Sequence, residues 1–402
     1  MIAINSKYRD GYFRQIEPFI GDRLIKILVG QRRVGKSYIL LQLQEDIKKR
    51  FPEAQIIYID KEDYQFDAMN TYIELMNYLE ELPKNKLKKF LFIDEIQEID
   101  GFEKALRSLQ SNADYDIYCT GSNAKLLSGE LATLMAGRYI QFRIYGLSYK
   151  EFLLFHNAED SQDTLLKYIK FGGLPHLINL RDDENVYYEY LRNVFDSIIL
   201  RDIIARYKVR NVHFLQNLIH YLADNVGSIV SANRISEYLK SQRIALLPKA
   251  ILEYLSFSES VFFIERAKRF EIGGKRIFEV GDKFYFEDLG MRHALIPFQL
   301  KDINKVLENL VFHHLKTCRY QVYVGKMGDK EIDFVAIKDG QSIYLQVCYV
   351  MMDDKTHDRE FGNLLKIEDN NPKYVISMDQ FSNIPFKGIF HWSIRKFLME
   401  FE

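Results

Sequence analysis

Two short stretches of this chain place residue types at spacings that do phosphate chemistry. The first is Gly30-Gln31-Arg32-Arg33-Val34-Gly35-Lys36-Ser37, which satisfies G-x-x-x-x-G-K-[ST]. Glycines let a backbone close around an anion so that successive N–H groups face it. A lysine at this spacing brings positive charge to β- and γ-phosphates, and the following hydroxyl is a ligand for Mg²⁺. Gly30, Gln31, Arg32, Arg33, Val34, Gly35, Lys36, Ser37 and Tyr38 are therefore the candidate nucleotide-binding residues, with Lys36 also a catalytic candidate. A strand-to-helix turn that merely carries glycines and a lysine is the plain alternative. The second stretch, Lys88-Lys89-Phe90-Leu91-Phe92-Ile93-Asp94-Glu95, is an apolar run ending in two carboxylates. Asp94, with Ser37, would hold Mg²⁺ and its water shell, and Glu95 would polarise the water that attacks the γ-phosphate in line. Acids after a strand are common turn formers, so the pair of stretches is a far more specific signal than either alone.

Both stretches sit in elements able to present them. Leu24–Val29 reads as a buried strand and Tyr38–Leu43 as the start of a helix, which is the strand, loop, helix context the glycine pattern requires. Gln55–Asp60 reads as a second strand, and 70–82 as a helix stopped by Pro83. Gly101–Gln110 reads as a short helix. Tyr115–Asn123 is a further strand ending in small polar residues, of which Asn123 or Ser122 could present a polar group to the γ-phosphate. Capping of a following helix is the competing role for both. Leu126–Tyr139 reads as a helix closed by Gly137, and Arg138 beyond it could act as a finger on a neighbouring subunit's nucleotide or simply face solvent.

At 402 residues the chain is too long for one ordinary domain. Its 47% hydrophobic and 28% charged residues allow sizeable cores, and a formal charge of -1 excludes a globally basic nucleic-acid binder while leaving room for a local basic patch. No apolar run approaches the roughly 18 residues of a membrane helix, and the first ten residues lack a signal pattern, so a cytoplasmic protein with no membrane partner is expected. Cys119, Cys318 and Cys348 are odd in number and far apart, which argues against a disulfide framework or a zinc site.

Together with Phe92-Ile93-Asp94-Glu95-Ile96-Gln97, Thr120-Gly121-Ser122-Asn123-Ala124-Lys125-Leu126-Leu127-Ser128 and Ala136-Gly137-Arg138-Tyr139, the glycine-rich loop resembles the prokaryotic archaeal-type AAA+ ATPases. Tyr145–Phe152 and Phe171-Gly172-Gly173-Leu174-Pro175 extend the resemblance over nearly the whole chain. It implies an α/β P-loop NTPase with an AAA-type parallel sheet and the P-loop strand in its centre. It also implies a helical lid, a winged helix-turn-helix and a small α/β domain similar to PD-(D/E)xK nucleases. The expected domains are 1–145, 146–208, 209–300 and 301–402. The segment 146–207 has helical spacing, and by resemblance it is the lid, whose Arg201 and Arg206 could approach phosphate or pair with nearby acids such as Asp202 and Asp196.

Helical segments at 214–223, 231–239 and 247–255 precede two strands, Phe262–Phe270 and Arg276–Val280, around Gly273-Gly274-Lys275. This pattern reads as a winged helix with Lys249 on the recognition helix and Arg266, Lys268, Arg269, Lys275 and Arg276 on the wing. Phosphate contact with DNA is one reading of that basic cluster; a solvated hairpin, or a module that packs on the ATPase, is the other. In the last domain Glu308 and Asp333 match the nuclease-like pattern, but Gln346 stands where an acid is expected and Cys348 where a lysine is expected. Without those two groups the domain should not cut DNA, unless a relocated lysine such as Lys326 or Lys330 rescues it, and docking of a protein partner, or packing on the ATPase, is its expected use. The chain thus reads as a Mg²⁺-dependent ATPase, with ATP and Mg²⁺ as its ligands and assembly into an oligomer open. A nucleotide-gated switch with little turnover and an active DNA nuclease are the rival readings.

Overall fold

The computed structural model describes residues 7–83, 87–111, 115–124, 135, 137–241, 246–274, 276–277, 281–350, 354–379 and 385–402. Most of the helix expected over Leu126–Tyr139, and Lys275 of the hairpin, lie outside the described residues. The chain divides into two compact units, residues 1–145 with 260–262, and residues 146–259 with 263–402.

The first unit is built on five parallel strands: β1 (Ile25–Val29), β2 (Gln55–Asp60), β3 (Lys89–Asp94), β4 (Tyr115–Gly121) and β5 (Tyr139–Arg143). Their order across the sheet is β2-β3-β4-β1-β5. β1 is buried along its whole length, as expected of a parallel strand covered on both faces. The strand carrying the P-loop is interior but lies beside β5, second from the edge, and β4 takes the middle; this corrects the expectation of a central P-loop strand. Helices α1 (Asp10–Ile16), α2 (Lys36–Arg50), α3 (Tyr72–Glu81) and α4 (Phe102–Ser111) accompany the sheet. Helix α3 starts where it does because Thr71 and Glu74 form a reciprocal capping box. Ile27, Ile59, Leu75, Ile93, Leu106 and Cys119 belong to one continuous apolar cluster of this unit.

β1 holds one charge inside the sheet. The Lys26 ammonium is 2.6 Å from the Asp116 carboxylate and donates to the Asp22 carbonyl at 2.8 Å. Burial lowers the lysine's pKa against the pull of Asp116. Register pairs Lys26 with Tyr118, and Tyr118 donates to the same carboxylate at 3.2 Å.

The second unit begins with helices α5 (Tyr149–His156), α6 (Gln162–Phe171) and α7 (Glu184–Ser197), the last continuing through Ile198–Ala205 with a wider π-type winding. α8 (Val212–Asp224), α9 (Ala232–Ser241) and α10 (Pro248–Ser260) follow. The expected hairpin is rearranged. Its first strand breaks at Lys268 into β6 (Ile264–Ala267) and β7 (Arg269–Glu271), and β6 pairs with β9 (Lys283–Phe286). β7 turns back on β8 (Arg276–Ile277), as Gly273-Gly274 foretold, and its other edge joins β10 (Gln321–Met327). The seven-stranded sheet therefore runs β14-β13-β12-β11-β10-β7-β8, with β11 (Lys330–Lys338), β12 (Gln341–Val347), β13 (Lys373–Ser377) and β14 (Phe390–Ser393). The hairpin extends this sheet instead of standing free as a wing, because the edge of β10 accepts β7 in parallel register. A boundary at residue 300 would cut through that sheet. Helices α11 (Leu289–Leu295), α12 (Ile303–Thr317), α13 (Asp354–Leu365) and α14 (Ile394–Glu400) complete the unit.

The Phe171-Gly172-Gly173 stretch has a clear physical role here. Asp288 caps α11 by accepting from the Met291 amide at 3.0 Å, and the same carboxylate accepts from the Gly173 amide at 2.7 Å. Burial pushes this carboxyl up to about 6 against those amide bonds. Gly172 has φ +74, and a Cβ there would stand 2.2 Å from Asp288 Oδ1. Gly172→Ala is therefore expected to lower the urea midpoint by the equivalent of more than about 1 kcal/mol. Gly273→Ala, where a Cβ meets nothing within 4 Å, should leave it unchanged.

Candidate nucleotide-binding site

Parallel pairing of β1 with β4 and of β4 with β3 brings three strand ends to one edge of the sheet. The loop 30–35 follows β1, Glu95 follows β3, and Ser122 and Asn123 follow β4. Gly30 approaches β5 so closely that a Cβ would lie 2.1 Å from the Ile144 carbonyl oxygen. Gly35, at φ 96, leads directly into α2. The chain can make this turn only because both positions lack a side chain.

Lys36 is buried and donates to the carbonyls of Gly30 at 3.1 Å and Gln31 at 3.0 Å, with its ammonium 3.8 Å from Glu95 Oε1. The Gln31 side chain is fully buried, and neither end of its amide has a hydrogen-bond partner among the described residues. Leaving such a group unsatisfied costs about 1–3 kcal/mol. Arg32 is buried and pairs with Glu62 at 3.1 Å. Val34 is buried, whereas Arg33, in the left-handed region at φ 71, and Tyr38 are exposed.

The two carboxylates have different environments. Asp94 accepts from the Thr120 hydroxyl and from Tyr58 at 3.4 Å. Burial raises its pKa although the hydroxyls of Ser37 and Thr120 both favour the charged form. Glu95 is as deeply enclosed, yet its pKa is lowered: burial pushes it up, and Lys36, Gln97, Arg32 and Ser122 outweigh that. Its carboxylate accepts from Ser122 Oγ at 3.0 Å and from the Gln97 amide. Its own amide donates to Thr120 Oγ1 at 2.9 Å, holding the backbone in the left-handed region at φ 54. A glutamate in that region is strained.

Of the two residues considered after β4, Ser122 touches Glu95, while Asn123 is buried beside it. Arg138 is at the other end of the sheet, where its carbonyl accepts from the Ile25 amide at the start of β1. Within its own chain it is therefore remote from the P-loop. Thr120, bridging Asp94 and Glu95, is the role sequence reasoning missed, although it stood within the recognised stretch. Arg9 is another: buried, it donates to the carbonyls of Val34 at 3.0 Å and Tyr145 at 2.9 Å and lies over the Tyr12 ring. No motif marks it.

Ser37 and Asp94 are adjacent oxygen donors. Among the described residues no three His, Cys, Asp or Glu side chains converge to hold a metal unaided. That fits Mg²⁺, which commonly takes one or two protein oxygens and completes its shell with phosphate and water.

Residues 22–153 match the description of an AAA domain, and residues 162–302 match a domain of unknown function. An uncharacterized protein of Haemophilus influenzae is 36% identical over 388 residues, covering 95% of this chain and 96% of that protein. The chain belongs to that protein's family. A Methanocaldococcus jannaschii protein is 32% identical over 389 residues, 91% of this chain and 85% of its own length. The solved structure of Aeropyrum pernix ORC1 in complex with DNA covers 72% of this chain and 92% of its own at 12% identity, with a TM-score of 0.34. The first unit, whose residues 22–153 match the AAA domain, has an α/β P-loop NTPase fold with nucleotide-binding architecture. Among the described residues no helix is long and apolar enough to cross a membrane.

The site has a cost in stability when no nucleotide is present. A carboxyl whose folded pKa is raised contributes less stability as pH rises through that pKa, so ionised Asp94 burdens the empty fold at neutral pH. Asp94→Asn is therefore expected to raise the melting temperature by about 2–4 °C at pH 7, the shift of roughly 1 kcal/mol in a domain of this size. Scanning calorimetry without nucleotide should show the advantage shrinking as pH falls toward the ordinary aspartate value of about 4.

Proposed function

We propose that this protein is a Mg²⁺-dependent ATPase converting ATP to ADP and phosphate in its first unit. The convergence of Lys36, Asp94 and Glu95 at one sheet edge, with lysine and glutamate 3.8 Å apart, supports this reading above all else. Loop amides 30–37 would cradle the phosphates, and Lys36 would exchange its backbone carbonyls for phosphate oxygens. Ser37 and Asp94 would hold Mg²⁺, which would supply positive charge against the charge developing on the phosphates. Glu95, kept ionised by Lys36, would accept a hydrogen bond from the attacking water. Asn123 and Ser122 would present polar groups to the γ-phosphate side, and Arg138 could serve a neighbouring subunit in an oligomer.

A second reading is a nucleotide-gated switch with slow turnover. Glu95 is held by Ser122, Gln97 and Lys36, and those contacts must loosen before it can orient water. Contact with DNA through the hairpin is the weaker extension. Arg266 is paired with Glu259 at 2.6 Å and Asp282 at 3.4 Å and Arg269 is half-buried, which leaves Lys268 and Arg276 as the exposed basic points among the described residues called for the wing. A protein partner for the second unit remains a separate proposal.

Variants separate binding from hydrolysis. Lys36→Ala should remain folded and lose measurable Mg-ATP binding in isothermal titration. Glu95→Gln should keep binding and lose about a hundredfold in turnover. Unchanged affinity in folded Lys36→Ala would overturn the nucleotide assignment, and unchanged turnover in Glu95→Gln would remove Glu95 from catalysis.

A further inference from the structure

One buried charge beside the P-loop belongs to neither of the two motif stretches. Arg9 stands immediately before α1, and only 4% of it is exposed. A guanidinium is costly to enclose unless its N–H groups find acceptors. Here Nη1 donates to the Val34 carbonyl at 3.0 Å and to the Tyr145 carbonyl at 2.9 Å. The guanidinium also lies 4.6 Å from the centre of the Tyr12 ring, and the Tyr12 hydroxyl accepts from the Tyr145 amide at 3.0 Å. Both the amide and the carbonyl of Tyr145 are thus tied to the segment 9–12. This anchor, just beyond the end of β5, holds Arg9 against the loop.

The Val34 carbonyl lies in the loop itself. Val34 stands between two residues of positive φ, Arg33 at 71 and Gly35 at 96, in a stretch that is neither helix nor strand. The peptide joining Val34 to Gly35 is trans, and in a planar trans peptide the carbonyl and the N–H point in opposite directions. Holding the oxygen toward Arg9 therefore turns the Gly35 N–H away from it. We infer that Arg9 is a positioning residue for phosphate binding: by fixing the Val34 carbonyl it presets the Gly35 amide to donate to a phosphate oxygen held in the loop 30–37. This inference rests on the nucleotide-binding reading of that loop and adds to it a residue from outside the motif. Arg9 touches no phosphate in this role, since its two bonds are to backbone oxygens. Without it, part of the ligand's binding free energy would go into ordering the 34–35 peptide, and affinity would fall.

The test is isothermal titration of full-length wild type, Arg9→Met, Arg9→Lys and Tyr12→Phe with two probes, Mg-ATP and Mg-tripolyphosphate, beside a thermal melt of each protein. Arg9→Met is expected to weaken both probes by about tenfold or more, the effect of losing a hydrogen bond from a charged donor, with the number of sites per chain unchanged. Arg9→Lys keeps a charged donor and should recover most of that loss. Tyr12→Phe keeps the ring beside Arg9 and loses the bond to Tyr145, so it should melt at a lower temperature and bind both probes as wild type does. A merely structural Arg9 would instead lower the melting temperature and the number of sites while folded chains kept full affinity, and that result would overturn the inference. A loss confined to Mg-ATP would place Arg9 at the base or ribose and equally overturn it. If Arg9→Met does not fold, Arg9→Gln, whose side chain is shorter and neutral, takes its place with the same expectations. Wild type that binds neither probe would remove the nucleotide reading itself. Wild type that binds both, with a folded Arg9→Met protein that binds them equally well, would remove only the role of Arg9.

Discussion

The nucleotide site depends on keeping one ammonium and two carboxylates enclosed at the same edge of a parallel sheet. Lys36 steadies Glu95 as an anion, while burial holds Asp94 toward its neutral form. Charges in such surroundings interact more strongly than in water and cost more when unpaired. Everything nearby answers that constraint. Thr120 joins the backbone of one acid to the side chain of the other, Ser122 and Gln97 occupy the glutamate, and the loop's own carbonyls receive the lysine. A ligand rich in negative oxygen with a bound cation would complement both signs of charge at once.

Much of this was readable from the chain because local patterns encode it. Position 30 needs a glycine because a Cβ there would stand 2.1 Å from the Ile144 carbonyl oxygen, and position 35 because its φ is 96, requirements few other residues meet. Strands ending at Val29, Asp94 and Gly121 announced themselves through mostly apolar runs, broken by Lys26 in the first and Asp116 in the last. What was illegible depends on pairing between distant segments. Nothing local to β1 states that its neighbours are β4 and β5, so its off-centre position could not be read from the chain. Arg9 reaches Val34 and Tyr145 only after folding, so no spacing rule could find it.

The second unit shows the same limit more sharply. Gly273-Gly274 correctly signalled a reversal, and β7 does pair with β8. Which sheet the hairpin joins was decided by the free edge of β10, more than forty residues away in sequence. Lys283 is comparable: it comes from β9 and meets Glu308 of α12 only after folding. Isolated motifs identify donors of chemistry, while the sheet order determines which donors meet.

The most direct measurement is phosphate release from ATP by the wild-type chain as Mg²⁺ is titrated from zero at fixed nucleotide. Turnover should rise to saturation with Mg²⁺ and vanish when the ion is chelated, because in the proposed mechanism Ser37 and Asp94 would supply only part of a cation shell that phosphate completes. Phosphate release indifferent to chelation, or none from a chain that calorimetry shows to be saturated with Mg-ATP, would contradict the account.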